Sequence, residues 1–198
     1  MNTVTTLPVD PQNPGQVLAC CGLLELTSRL YGPVLSQFQL APPAFLVEIG
    51  EEQLRNVLRA LQQCPVQAFA EDALILGEPF HLRLDWWLEK KTAKPVPKTW
   101  AGGQRPLPFF RAYQKALKPD ELPVARWWDS RSSGVEAASF CFDPREFTHS
   151  LDTGFSTYDL KVKAETFVMV ELLAFIGLQR FRPAAENRVS FSYLLWHL

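Results

Sequence analysis

The chain has 198 residues, 47% hydrophobic and 21% charged, with a formal net charge of −1; that suits a folded domain with its own core and excludes a disordered or low-complexity class. The longest apolar run, residues 167–178, is interrupted by Glu171 and falls short of the roughly 20 residues that cross a bilayer, so no membrane span is expected. Cys20, Cys21, Cys64 and Cys141 form no C-x-x-C pair and have no histidine at ligand spacing, so neither a zinc site nor a redox motif is expected.

The amino terminus, MNTVTTLPVDP, has neither the basic start nor the apolar run of a secretory signal, and a cytoplasmic protein is expected. Thr3 to Val9 reads as a strand. N-P-G-Q then opens a helix over 14–31, with Asn13 as N-cap, Pro14 at the first helical position and Gln16 where a capping-box partner belongs. Gly32 and Pro33 stop it. Val17, Leu18, Cys21, Leu24 and Leu26 give it a broad apolar face. Phe45 to Ile49 reads as a short strand, and 51–63 as an amphipathic helix with Leu54, Val57, Leu58 and Leu61 inward.

Phe80 to Leu88 alternates, placing Phe80, Leu82, Leu84, Trp86 and Leu88 on one side and His81, Arg83, Asp85 and Trp87 on the other, as in a half-buried strand. Residues 90–107 hold Pro95, Pro97, Gly102, Gly103 and Pro106 and read as a loop. Pro108 opens a helix to about Leu117. Ala138 to Phe142 reads as a strand, and 165–181 as a helix that is apolar nearly all round and therefore buried. Glu171 within it must find a partner, with Arg180 or another subunit as candidates. Val189 to Leu198 closes the chain as a strand ending on the apolar YLLWHL, which is expected to be buried or to continue.

Charge is distributed unevenly: residues 1–80 net −5, residues 81–133 net +6 and residues 134–198 net −2. From Lys90 to Lys118 there are eight Lys or Arg and no acid, with Trp100, Phe109, Phe110 and Tyr113 between them. Lysines for phosphates and aromatics for unpaired bases make the combination used by single-stranded nucleic-acid sites. The other reading is a solvated basic loop whose aromatics pack into the core, and composition by itself leans slightly that way.

Other motifs carry less. L-D-T-G at 151–154 matches the pepsin-type aspartate signature, but that chemistry needs two aspartates and a largely β fold; a turn at Gly154 is the expectation. His81, His149, His197 and Tyr158 make no acid–base constellation with paired carboxylates. Gly102 and Gly103 lack the Lys-Ser/Thr of a phosphate loop.

Several blocks carry a resemblance that none of these motifs has alone: PVDPQNPGQVLACCGLLEL from Pro8 to Leu26, LDWW from Leu84 to Trp87, KTWAGGQ from Lys98 to Gln104, FDPR through SLDTGFS from Phe142 to Ser156, and VELLAFIGLQRFRP from Val170 to Pro183. In this order the chain resembles the small CRISPR-associated proteins of type I-U (I-G) loci, regarded as a divergent RAMP or large-subunit-like component. The resemblance implies a non-catalytic subunit of a Cascade-like, CRISPR RNA-guided surveillance complex, with a separate helicase-nuclease doing the cutting. It also implies CRISPR RNA, target DNA and the other effector subunits as partners; no metal or cofactor is expected. Lys98, Thr99, Trp100 and Gln104 fall within its K-T-W-A-G-x-Q block, at the centre of the basic island.

The expectation is therefore one α+β domain over 1–198 with a basic loop insertion at about 90–118. Its short strands would form a largely antiparallel or mixed sheet packed with about four helices, a RAMP-like ferredoxin arrangement being one option. Lys90, Lys91, Lys94, Lys98, Thr99, Trp100, Gln104, Arg105, Arg111, Lys115 and Lys118 form the candidate nucleic-acid surface. Among them Arg105, Arg111, Lys115 and Lys118 are expected on phosphates and Trp100 on a base. The rival readings are a structural adaptor within the same complex and a CRISPR RNA-processing endoribonuclease using His81 or His149.

Overall fold

The computed structural model describes residues 3–70, 73–88, 99, 105–133, 140–146, 165–185, 191–193 and 195–196. Among them the chain is α+β, and every strand pairing is antiparallel. Strand β1 (Thr5–Pro8) leads into helix α1 (Pro14–Tyr31), followed by β2 (Ser36–Leu40), β3 (Pro43–Val47) and α2 (Glu51–Gln63). A second group follows, β4 (Val66–Phe69), β5 (Ala73–Leu76) and β6 (Leu82–Leu84), and then α3 (Pro106–Ala116). Short pairings β7 (Ser132–Ser133) with β8 (Glu165–Thr166), and β9 (Ala184–Ala185) with β10 (Phe191–Ser192), bracket helix α4 (Val168–Gly177).

The first half begins in the way a ferredoxin-like fold does. β1, α1, β2 and β3 form a split unit in which β3 lies between β1 and β2, with Phe45 opposite both Leu7 and Phe38. The departure comes at β4. In a ferredoxin-like sheet that strand would flank β1, but here it pairs with β5, and β5 with β6, as a separate three-stranded meander. The β2 edge is instead met by the end of the chain: Phe38 N–H donates to the Trp196 carbonyl at 2.7 Å, and Trp196 Nε1 donates to Ser36 O at 2.9 Å.

Two helices make the centre. Asn13 caps α1, its side-chain oxygen accepting from Gln16 N–H. Gln16 does not return the bond to Asn13, whose own N–H already reaches Asp10 O; the Gln16 amide oxygen accepts from Asp10 N–H instead. Helix α1 is buried on nearly every side from Gly15 to Thr27, and all of α4 is buried. Their backbones approach closely through two glycines: a Cβ on Gly22 would lie 1.9 Å from Leu173 O, and one on Gly177 2.2 Å from Leu18 O. Only hydrogen fits at either position.

Several elements differ from their sequence reading, for identifiable reasons. The alternation over 80–88 yields a strand only at Leu82–Leu84, because the N–H groups of Asp85 and Trp86 both donate to Gln179 Oε1 and the chain turns into a 3-10 segment. Trp87, placed outward by period two, is therefore buried beside Phe175. Helix α4 is shorter than 165–181, since Glu165 and Thr166 pair with β7 at one end and residues 178–180 form turns at the other. Residues 140–143 are not a strand; the N–H groups of Phe142 and Asp143 donate to Glu171 Oε1 at 2.9 and 2.8 Å. Those amides, rather than Arg180, meet the buried carboxylate, and Arg180 pairs with Glu25 at 3.0 Å.

Candidate nucleic-acid interface

Helix α3 sorts the acid-free segment by side. Arg105 sits at its N-cap, and Pro106, rather than Pro108, occupies the first helical position. Phe109, Phe110 and Tyr113 are buried, with Pro106 and Gln114 on the same inward side. Arg105, Pro108, Arg111 and Lys115 are exposed, the last three at the i, i+3, i+7 spacing of one helix stripe.

The aromatics of this helix are thus not available to stack on bases, as the nucleic-acid reading had them. They belong to a ring cluster in which Phe140 stacks on Phe175 at 4.4 Å, Tyr113 lies 5.5 Å from Phe140, and Phe110 lies 6.0 Å from Phe175. Burying a side chain of this size is worth about 1.5–3 kcal/mol, and the rings are spent on anchoring α3. The cations remain outside because ionised groups are costly to bury without partners.

Of the eleven predicted contacts, Thr99, Arg105, Arg111, Lys115 and Lys118 are among the described residues. Lys90, Lys91, Lys94, Lys98, Trp100 and Gln104 lie outside the described residues, as do His149, Tyr158, His197 and the L-D-T-G stretch. Thr99, the one described residue of the KTWAGGQ block, donates its hydroxyl to the Phe140 carbonyl, next to the ring cluster beneath α3. Arg111 is exposed, and its Nη2 donates to Val66 O at 2.9 Å, which fixes the arginine along β4. Lys118 pairs with Glu121 at 2.7 Å, both side chains being more than half exposed; such a pair is worth under about 1 kcal/mol and exchanges readily for a phosphate. The helix is held by Gln114, whose Nε2 donates to Leu61 O and Cys64 O, and by Gln62, which donates to Leu117 O.

One surface pair was not singled out by sequence reasoning. Phe69, at the end of β4, is 54% exposed, and the Arg83 guanidinium carbon lies 5.8 Å from its ring centroid. Arg83 was placed outward by the alternation of its strand. Phe69 escaped notice because β4 and β5 have only four residues each, too few for period two to stand out.

Several other described ionisable groups are held by the scaffold. Asp143, fully buried, accepts from Asn13 Nδ2 at 2.9 Å and pairs with Arg145 at 2.6 Å; Arg145 in turn donates to Trp128 O and lies 3.8 Å over the Phe167 ring. Partial burial works against the Arg145 charge, but Asp143 and Asp129 outweigh it and raise its pKa. Burial raises the thiols: Cys20 goes well above the ordinary value, Cys21 to about 12 and Cys64 to about 11. His81 is exposed with a left-handed backbone, φ 46°, and Arg29 holds the Phe80 and His81 carbonyls at 3.0 and 3.1 Å. Among the described residues no three His, Cys, Asp or Glu gather in a way that could hold a metal ion, and no helix is long and apolar enough to cross a membrane.

No protein-family model, curated protein or solved structure matches this chain.

Proposed function

We propose that this chain is a non-enzymatic, nucleic-acid-binding subunit of a CRISPR RNA-guided surveillance complex in the cytoplasm, touching guide RNA or target DNA while a helicase-nuclease recruited to the complex cuts. The ordered blocks that resemble the type I-U proteins support the assembly. The observation that carries nucleic-acid contact is the sorting on α3: Arg105, Arg111 and Lys115 outside, with Phe109, Phe110 and Tyr113 as their anchor. A cationic stripe held on a rigid helix attracts a polyanion even when the whole chain is near neutral. The sequence of the bound strand would be read by guide pairing and its backbone by this surface.

The test is salt dependence. Binding of a fluorescein-labelled single-stranded RNA or DNA of about 20 nucleotides should weaken steeply with salt, and the triple substitution of Arg105, Arg111 and Lys115 to Gln should flatten the slope of log K against log salt by about 2, at roughly 0.7 per lost phosphate contact. Unchanged affinity and slope would defeat the proposal.

A protein-adaptor role has one observation in its favour. Val4 and Leu35, 50% and 62% exposed, flank Glu48 on the outer face of the first sheet, a place for a neighbouring subunit. Salt-insensitive protein association without oligonucleotide binding would select that reading.

A further inference from the structure

We propose that the outer face of the β4–β5–β6 sheet is a stacking platform for one unpaired base of a single-stranded nucleic acid, with the exposed Phe69 ring and the Arg83 guanidinium over it as the contacts. This rests on the nucleic-acid reading of α3 and extends that surface onto the sheet.

The register defines the face. Gln67 stands opposite Ile75, and Ile75 opposite Arg83; two residues along, Phe69 stands opposite Ala73. Period two puts these side chains on one face, where Gln67, Phe69 and Arg83 are exposed, Ile75 is half-buried and Ala73 is buried, while Val66, Leu74, Leu76, Leu82 and Leu84 on the opposite face are buried. A phenylalanine more than half exposed on an open sheet face offers a π-surface that every base can use. Sheet aromatics serve the same purpose in modules that splay single strands across their strands.

The arginine beside it is held in place. Gln179, just past α4, donates from Nε2 to Asp85 Oδ1 at 2.9 Å, and Asp85 Oδ2 accepts from Arg83 Nε at 2.8 Å. This chain of bonds sets the guanidinium by the Phe69 ring while using only its Nε donor. Among the described residues the Arg83 Nη groups make no hydrogen bond to a side chain or carbonyl. They are the donors a base edge or a phosphate would take.

Continuity with α3 comes from Arg111. Its bond to Val66 O places the charged stripe against the strand whose other end carries Phe69, ~10 Å away at about 3.3 Å per residue. That gap is within reach of a few nucleotides of an extended strand.

The experiment uses the full chain and a single-stranded oligonucleotide of about 20 nucleotides carrying 2-aminopurine, alongside a duplex of the same length. Phe69→Ala should weaken single-strand binding about tenfold, abolish the quenching of 2-aminopurine, and leave the duplex affinity and melting temperature unchanged. Phe69→Trp should restore both affinity and quenching. Arg83→Gln should weaken the single strand several-fold. Wild-type affinity and quenching in Phe69→Ala overturn the platform. If the α3 triple variant loses binding while Phe69→Ala does not, only the platform falls; if the wild-type chain binds no oligonucleotide, the reading of α3 falls with it. A Phe69→Ala defect confined to association with another protein also overturns the platform, in favour of a protein contact.

Discussion

Replacing Gly22 with alanine tests the packing on which the rest of the molecule depends. The new Cβ would sit 1.9 Å from Leu173 O, 2.8 Å from its carbonyl carbon and 3.0 Å from Gly177 N. These are backbone atoms of a buried helix and cannot rotate away, so restoring an ordinary contact near 3.4 Å requires α1 and α4 to move apart by about 1.5 Å. Gaps of half that size already forfeit a quarter to a half of the dispersion at each contact, and overpacking of this kind costs about 1–3 kcal/mol or more. Alanine returns about 1 kcal/mol of helix propensity. With the clash at the upper end, the net loss is about 2–4 kcal/mol, or roughly 5–15 °C in melting temperature for a domain of this size. Urea and thermal unfolding followed by tryptophan fluorescence would measure it. Gly77→Ala is the control, because its Cβ would meet only Pro65 atoms at 3.5 Å or more, and it should change stability by less than about 0.5 kcal/mol. A Gly22→Ala protein that melts at or above the wild-type temperature would refute the close approach. Since α4 also carries Phe175, which supports the ring cluster under α3, the variant should bind oligonucleotide less tightly as well.

Glu171→Leu removes the acceptor shared by the Phe142 and Asp143 amides and should cost about 2–6 kcal/mol by chemical denaturation, since each buried amide left without it loses about 1–3 kcal/mol; Glu171→Gln keeps an acceptor oxygen and should cost less. At pH 8 a thiol reagent should label Cys141, the one partly exposed cysteine, quickly, and Cys20, Cys21 and Cys64 only after unfolding. The raised thiols also set a direction with pH. Burial lifts Cys64 from 9.0 to about 11 and Cys21 from 9.0 to about 12, so above pH 9 the unfolded chain loses thiol protons that the native chain retains, and stability should fall as pH rises through that window, by up to about 1.4 kcal/mol per pH unit for each thiol. Cys21→Ala should flatten the decline; an unaltered slope in the urea midpoint between pH 9 and 11 would count against its burial.

The sequence by itself determined the elements whose signals are local. Asn13, Pro14 and Gly32 bound α1, and Leu54, Val57, Leu58 and Leu61 gave α2 its inward face, because caps and 3.6-residue periodicity act within a few residues. The acid-free character of 90–118 is likewise plain in the sequence, as is the outward placement of Arg83. What the tertiary structure alone decided is which groups those residues meet. It placed Phe109, Phe110 and Tyr113 in the core, gave Glu171 two backbone amides and left Arg180 to Glu25, and turned Trp87 inward through Gln179, a residue more than 90 positions away. It also set β4 beside β5 instead of β1, and brought Arg83 next to Phe69 across a third strand. Such partners are chosen by long-range packing, where the burial of a whole aromatic ring or carboxylate outweighs any preference written into neighbouring residues.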